Sequence, residues 1–197
     1  MKMANPGGFL AHFIKLITTI ICLRYVDDKN FIIITRAFQI FIIHSILGMF
    51  RFGSTASLIG KRSFREFYER ISNIVEIIPF AFFSTEMSRL SGVDQLLRQS
   101  LLLVLILLPI VHEMVPRKER SKMRVLINHS INLQLIIITL ACVQKGSFGV
   151  ITFVLSYIFN RYYAESFCDW YDVPYEDLIQ YSLCFVEIFS LITLKEL

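Results

Sequence analysis

The feature that most limits what this chain can become is its set of oily runs, of which LLLVLILL at 101–108 is the most extreme. About 20 apolar residues in a row satisfy their own backbone hydrogen bonds as a helix and gain nothing from water. Around that run, 96–115 reads as a full membrane helix, and further apolar segments stand at 9–23, 31–50, 125–143, 148–164 and 178–194. Composition agrees, with 55% hydrophobic and 18% charged residues, whereas a soluble domain carries roughly 25% charge. The 18 Phe exclude a disordered chain, and 4 Cys are too few for a disulfide scaffold. The expected fold class is all-α: a polytopic helical membrane protein, one domain over 1–197, with short hairpins and at least one amphipathic interfacial helix.

A seventh segment, 64–83, has a different character. Phe64, Phe67, Tyr68, Ile71, Ile74, Val75, Ile78 and Phe82 recur at helical spacing, while Arg65, Glu66, Glu69, Arg70, Ser72, Asn73 and Glu76 take the other face. This spacing predicts an amphipathic helix, lying in the interface plane or packed on the bundle. The first segment is short, since roughly 15 residues rise about 22 Å against a hydrocarbon core of about 30 Å. With 31–50 it predicts a shallow hairpin that occupies more of one leaflet than the other. Lys15 interrupts the run and no A-x-A-like site follows, so an uncleaved membrane segment is expected rather than a signal peptide. Near the other end, 167–177 reads as an acidic loop.

Net charge is +4, and the positive charge is clustered. Lys61, Arg62 and Arg65 form one group; Arg117, Lys118, Arg120, Lys122 and Arg124 form a second. Such clusters beside membrane helices favour the cytosolic side and anionic headgroups, so the lipid bilayer is the expected partner. No element that reads bases accompanies them, and nucleic acid is not expected. Parity poses a problem. If all seven segments cross, the two clusters share a face; if 64–83 lies flat and 96–115 crosses, they fall on opposite faces. Either 64–83 crosses and takes Glu76 inside, or 96–115 enters and returns.

Ionisable residues within apolar runs are candidate functional groups. Here they are Lys15, Arg36, Glu76 and Glu187, with Gln39, His44 and Asn73 nearby. Arg36 and Glu187 stand at depths that allow them to pair. A pair that locks helices together outweighs a relay, because no second polar stripe extends it; Glu176, Gln180, Glu187 and Ser190 share a face, but Leu183 interrupts it. Of His12, His44, His112 and His129 only His44 is mid-segment, so paired axial haem ligation is not laid out. Cys22, Cys142, Cys168 and Cys184 show no CxxC spacing and read as reduced, structural thiols. HExxH, GxSxG, paired intramembrane aspartates and a phosphate-cradling glycine loop are all missing. No catalytic residue, cofactor or metal is expected, and the chain is not expected to be an enzyme.

Several local features occur in a familiar order. Arg36-Ala-Phe opens the second apolar segment, followed by SFREFY at 63–68, the leucine-rich span ending in PIVH at 109–112, a basic loop, LAC at 140–142, Gly146-Ser147 and YIFNRY at 157–162. In this order, from about residue 9 to 187, the sequence resembles the transmembrane protein 33 family, to which nuclear-envelope pore-membrane proteins and Krüppel homologue 2 belong. It departs from that pattern in a shorter turn at 144–147 and in lacking the further basic amphipathic tail. The resemblance implies a non-enzymatic multi-pass protein of the endoplasmic reticulum membrane and nuclear envelope that shapes tubular membrane and contacts reticulon-type or nuclear-pore membrane proteins. The alternative is a small polytopic transporter or channel using Arg36, Glu76 and Glu187.

Overall fold

A computed structural model describes residues 5–26, 31–53, 62–116 and 118–197; the side chain of Arg62 is also outside the description. Among the described residues the secondary structure is entirely helical: α1 (Pro6–Arg24), α2 (Ile32–Gly53), α3 (Arg62–Val75), α4 (Ile78–Leu90), α5 (Gln95–Met114), α6 (Arg120–Gln144), α7 (Gly149–Ile158), a π-helical turn (Phe159–Tyr163), α8 (Ala164–Tyr171) and α9 (Tyr175–Glu196). α1, α2, α5, α6 and α9 are long and apolar enough to cross a membrane. Their outward faces, such as Leu103 and Leu107 on α5 or Leu133, Ile136 and Leu140 on α6, are exposed without protein cover. Apolar surface of that extent is stable only against lipid.

Local chemistry sets the helix ends. Asn5 caps α1 by accepting from the Gly8 N–H at 3.3 Å, and Pro6 sits at the first helical position, where its missing N–H costs nothing. α1 therefore starts earlier than hydropathy suggests and has 19 residues, a rise of about 28 Å. The shallow hairpin expected from 9–23 is corrected: α1 and α2 are both nearly full-length. Asp94 caps α5 through the N–H groups of Leu96 and Leu97 at 2.9 and 3.1 Å. Gly92 and Gly146, at φ 81° and 86°, allow the tight left-handed exits after α4 and α6.

The segment expected as one amphipathic helix over 64–83 is two helices. Pro79 lacks the N–H that would continue the ladder of α3, and the chain turns at Glu76 and Ile77 before α4 begins. α3 keeps the amphipathic pattern. Its Tyr68 and Val75 pack on the bundle, while Phe67 stays 51% exposed. α4 is the buried centre of the protein. Phe80, Ala81, Phe83, Ser84, Glu86, Met87 and Ser88 are all enclosed, and Phe83 meets Phe38, Phe41 and Phe153 ring to ring. Hydropathy missed α4 because its 13 residues are short and include Ser84, Thr85, Glu86, Ser88 and Arg89.

α4 also resolves the parity problem. One end of the bundle gathers the start of α1, the end of α2, α3, the end of α5 and the start of α9: Tyr68 bonds His12, Asn73 bonds Glu113, and Gly7 lies against Asp177. The other end gathers Ser91 with Cys142, Ser147 and Gly149 with Glu196, and Lys195 over Tyr25. α4 runs from the first end to the second, so α5 returns to the first. The α2–α3 and α5–α6 connections thus leave from the same end. The helix expected over 148–164 is also longer: α7, the π turn and α8 form one run to Tyr171, and helix occupies much of the expected acidic loop.

Candidate functional site

The interior of the bundle between α1, α2 and α9 is polar. Lys15, on α1, is wholly buried, and its ammonium reaches His44 Nδ1 on α2 at 2.7 Å and Gln180 Oε1 on α9 at 2.6 Å. An ammonium only donates, so His44 Nδ1 is the acceptor and Nε2 carries the ring proton. That proton points at Ser72 Oγ of α3, 2.9 Å away. Beside it, Tyr68 holds His12 Nε2 at 2.8 Å, and the rings of His12, His44 and Tyr68 pack within 6 Å of one another. One turn deeper, Thr19 lies 2.7 Å from Glu187 Oε2; Glu187 is wholly buried and its Oε1 has no partner. The opposite charges of Lys15 and Glu187 thus occupy the middle third of their helices. Each would be costly there alone.

Helical spacing sets which side chains of each helix turn toward the cluster. Lys15 and Thr19 are four apart on α1, and Gln180 and Glu187 are seven apart on α9, so each pair projects from one helix face. Leu183 is buried on that same α9 face, an apolar side chain between Gln180 and Glu187. Gly48 lets α1 and α2 approach, since a Cβ there would fall 2.3 Å from the ring of His12.

Two adjoining cavities open near the end that carries α3. One, of about 240 Å3, runs past Tyr68, Ser72 and Glu76 to His44 and Gln180, with Ile179 and Leu183 as its apolar wall. The other, of about 360 Å3, is lined by His112, Glu113, Arg124, Asn128 and Arg161 among others. Glu76, at the α3–α4 break, stands at the edge of both. Its carboxylate accepts from Arg161 Nη1 at 2.7 Å, while Arg161 Nη2 reaches Asn128 at 3.2 Å. Burial pushes the Glu76 carboxyl above the ordinary carboxylate range, and the guanidinium of Arg161 opposes this. The π turn delivers Asn160 and Arg161 from one widened helical turn, a local geometry frequent at functional positions.

Several expected site residues are placed otherwise. Arg36 does not meet Glu187: it is exposed, and its Nη1 donates to Gln39 at 2.8 Å on its own helix. Across the bundle Glu187 accepts from Thr19, one turn along α1 from Lys15, and Glu76 pairs with Arg161. Lys61 and Arg117 lie outside the described residues, as does the Arg62 side chain. Arg65 is exposed and bonds Glu69 at 2.6 Å; Lys118, Lys122 and Arg124 are exposed. Arg120 instead folds back, donating to the carbonyls of Val115 and Glu113 at 3.1 and 3.0 Å, and so caps the end of α5. Gln180 stood in the polar stripe of α9, whereas Ser72 and Tyr68 carried no signal of a site, because a Ser or Tyr on an amphipathic helix reads as surface. Glu86, buried on α4 and bound by Arg89 at 2.6 Å, was missed with its helix. Among the described residues no group of three His, Cys, Asp or Glu is placed to hold a metal ion.

Fold and site together define an all-α polytopic integral membrane protein with a charged, hydrogen-bonded interior. No family model, curated protein or solved structure matches the chain.

Proposed function

We propose that this protein is a non-enzymatic organiser of the membrane it occupies, gripping anionic headgroups and partner proteins with one basic face. The observation that supports this reading is the shared end of α3, the end of α5 and the start of α6, where the described basic side chains Arg65, Lys118, Lys122 and Arg124 are exposed. The positive-inside tendency makes that side cytosolic. Resemblance to the transmembrane protein 33 family supports a place in the endoplasmic reticulum and nuclear envelope, with reticulon-type or nuclear-pore membrane proteins as partners. With α1 full-length, the hairpin loses its role as a wedge. The remaining asymmetry is α3, whose Phe64 and Phe67 stand side by side, 6.5 Å apart, on the basic face.

Nanodisc-embedded protein is expected to bind anionic vesicles, and reversal of Lys118, Lys122 and Arg124 to Glu to weaken that binding at least tenfold, at about 1 kcal/mol per basic side chain near a charged surface. Flotation measures it. Equal binding by the reversed protein, with unchanged vesicle shape at high protein density, refutes the reading.

A second reading, a small carrier or channel, is favoured by the buried Lys15 and Glu187 and by the cavity that approaches them. Arg36 drops out of it. Under this reading Glu76→Gln abolishes solute flux in proteoliposomes, whereas an organiser keeps its effect on vesicle shape.

A further inference from the structure

We infer that the bundle holds a one-sided proton path, in which His44 and Ser72 connect Lys15 in the core to the cavity at the basic end. This does not rest on the headgroup-gripping reading. Three observations point to it. The contacts are continuous: Lys15 to His44 Nδ1 at 2.7 Å, then His44 Nε2 to Ser72 Oγ at 2.9 Å. The two ring nitrogens of one imidazole face opposite neighbours, which is the arrangement that lets a proton enter at one nitrogen while another leaves from the other. Both His44 and Ser72 line a cavity of about 240 Å3, room for several waters at about 30 Å3 each.

The transfer balances without any redox partner. Lys15 gives a proton to His44 Nδ1; His44 gives its Nε2 proton to Ser72 Oγ; Ser72 gives its hydroxyl proton to a cavity water. Lys15 is left as a neutral amine, the water as hydronium, and His44 as the opposite tautomer. Uptake is the reverse. The groups that face Lys15 are His12 on its own helix, His44 from α2, and Gln180, Cys184 and Glu187 from α9, with Glu76 farther off toward the cavity. Glu187, with one unpartnered oxygen, is the counter-charge that this exchange would leave or restore. A metal ion does not suit the same place, because the ammonium of Lys15 occupies it and takes both acceptors. A helix-locking pair alone would not need the link through α3, which sequence spacing could not reveal.

The test is solvent exchange of the His44 ring proton, read by NMR of 15N-histidine-labelled protein in nanodiscs and assigned with His44→Gln. Wild-type protein is expected to show Nε2-protonated His44 whose ring proton exchanges faster than the neighbouring α2 amides. Ser72→Thr and Ser72→Val have nearly the same shape, and only the first keeps a hydroxyl. Threonine is expected to preserve the exchange rate and valine to slow it at least about tenfold, with α-helical circular dichroism unchanged in both. A His44 ring proton as protected as the α2 amides overturns the path, as does equal exchange in the threonine and valine proteins. If valine disturbs the helical signal, Ser72→Ala with Leu183→Met as a cavity-wall control is compared in the same way, and equal rates again overturn it.

Discussion

Glu187→Ala is expected to destabilise the protein by about 3–5 kcal/mol, because it strands the Lys15 ammonium in the bundle core. Lys15 is wholly buried, and its two hydrogen-bond partners, His44 and Gln180, are both neutral in the arrangement described. Removing the Glu187 carboxylate leaves an uncompensated charge or forces a neutral amine. The paired change Lys15→Met with Glu187→Leu takes away both charges and substitutes side chains of similar volume, so it is expected to recover most of the loss. Reversible unfolding in mixed micelles would measure all three proteins. A Glu187→Ala protein as stable as wild type would show that the two charges do not sense each other. A double variant no better than the single one would show that Gln180, Thr19 and His44 need the charges to stay ordered.

The second large effect belongs to α4. Phe83 is completely enclosed, and its ring meets Phe38 and Phe41 from α2 and Phe153 from α7. Phe83→Ala is expected to cost about 3–5 kcal/mol, through lost contacts and the void left among three rings that are themselves fixed. Leu103 on α5 is 58% exposed and points away from the protein, so Leu103→Ala is expected to cost far less. Should the two substitutions prove equal, α4 would not be the centre around which α2, α5, α6, α7 and α9 assemble.

The membrane class was legible in the sequence because apolar runs of membrane length need no tertiary information. Among the described residues, all five helices long enough to cross coincide with runs seen by hydropathy, although α1 begins earlier through its Asn5 cap and Pro6. What stayed hidden was contrast of a different kind. α4 is short and its apolar run is broken by a carboxylate and several hydroxyls, so it never reaches membrane length; only the enclosure of Phe80, Phe83 and Met87 shows its place at the centre. Pro79 was a readable break in the segment at 64–83. The strong amphipathic pattern before it masked the change of period.

The interior site was half legible. Lys15, His44, Glu76 and Glu187 stand out wherever charge or imidazole interrupts apolar sequence. Their partners do not, because pairing depends on which helices are neighbours. Arg36 and Lys15 look alike in the sequence as cations within apolar runs, yet Lys15 turns inward between α2 and α9 and Arg36 turns outward to Gln39. Arg161 stands four residues past Tyr157 in an aromatic tract typical of interfaces, and nothing local marks it as the partner of Glu76 85 positions earlier.

The shortness of α4 bears on how the chain is made. Insertion machinery weighs windows of about 19 residues, and 13 residues with Glu86 and Arg89 fall short of what holds a nascent segment in the bilayer. α4 therefore enters together with α5, as the leading arm of a hairpin whose second arm supplies the oil. Until the leucine-rich arm emerges from the ribosome, the future centre of the protein waits outside the lipid.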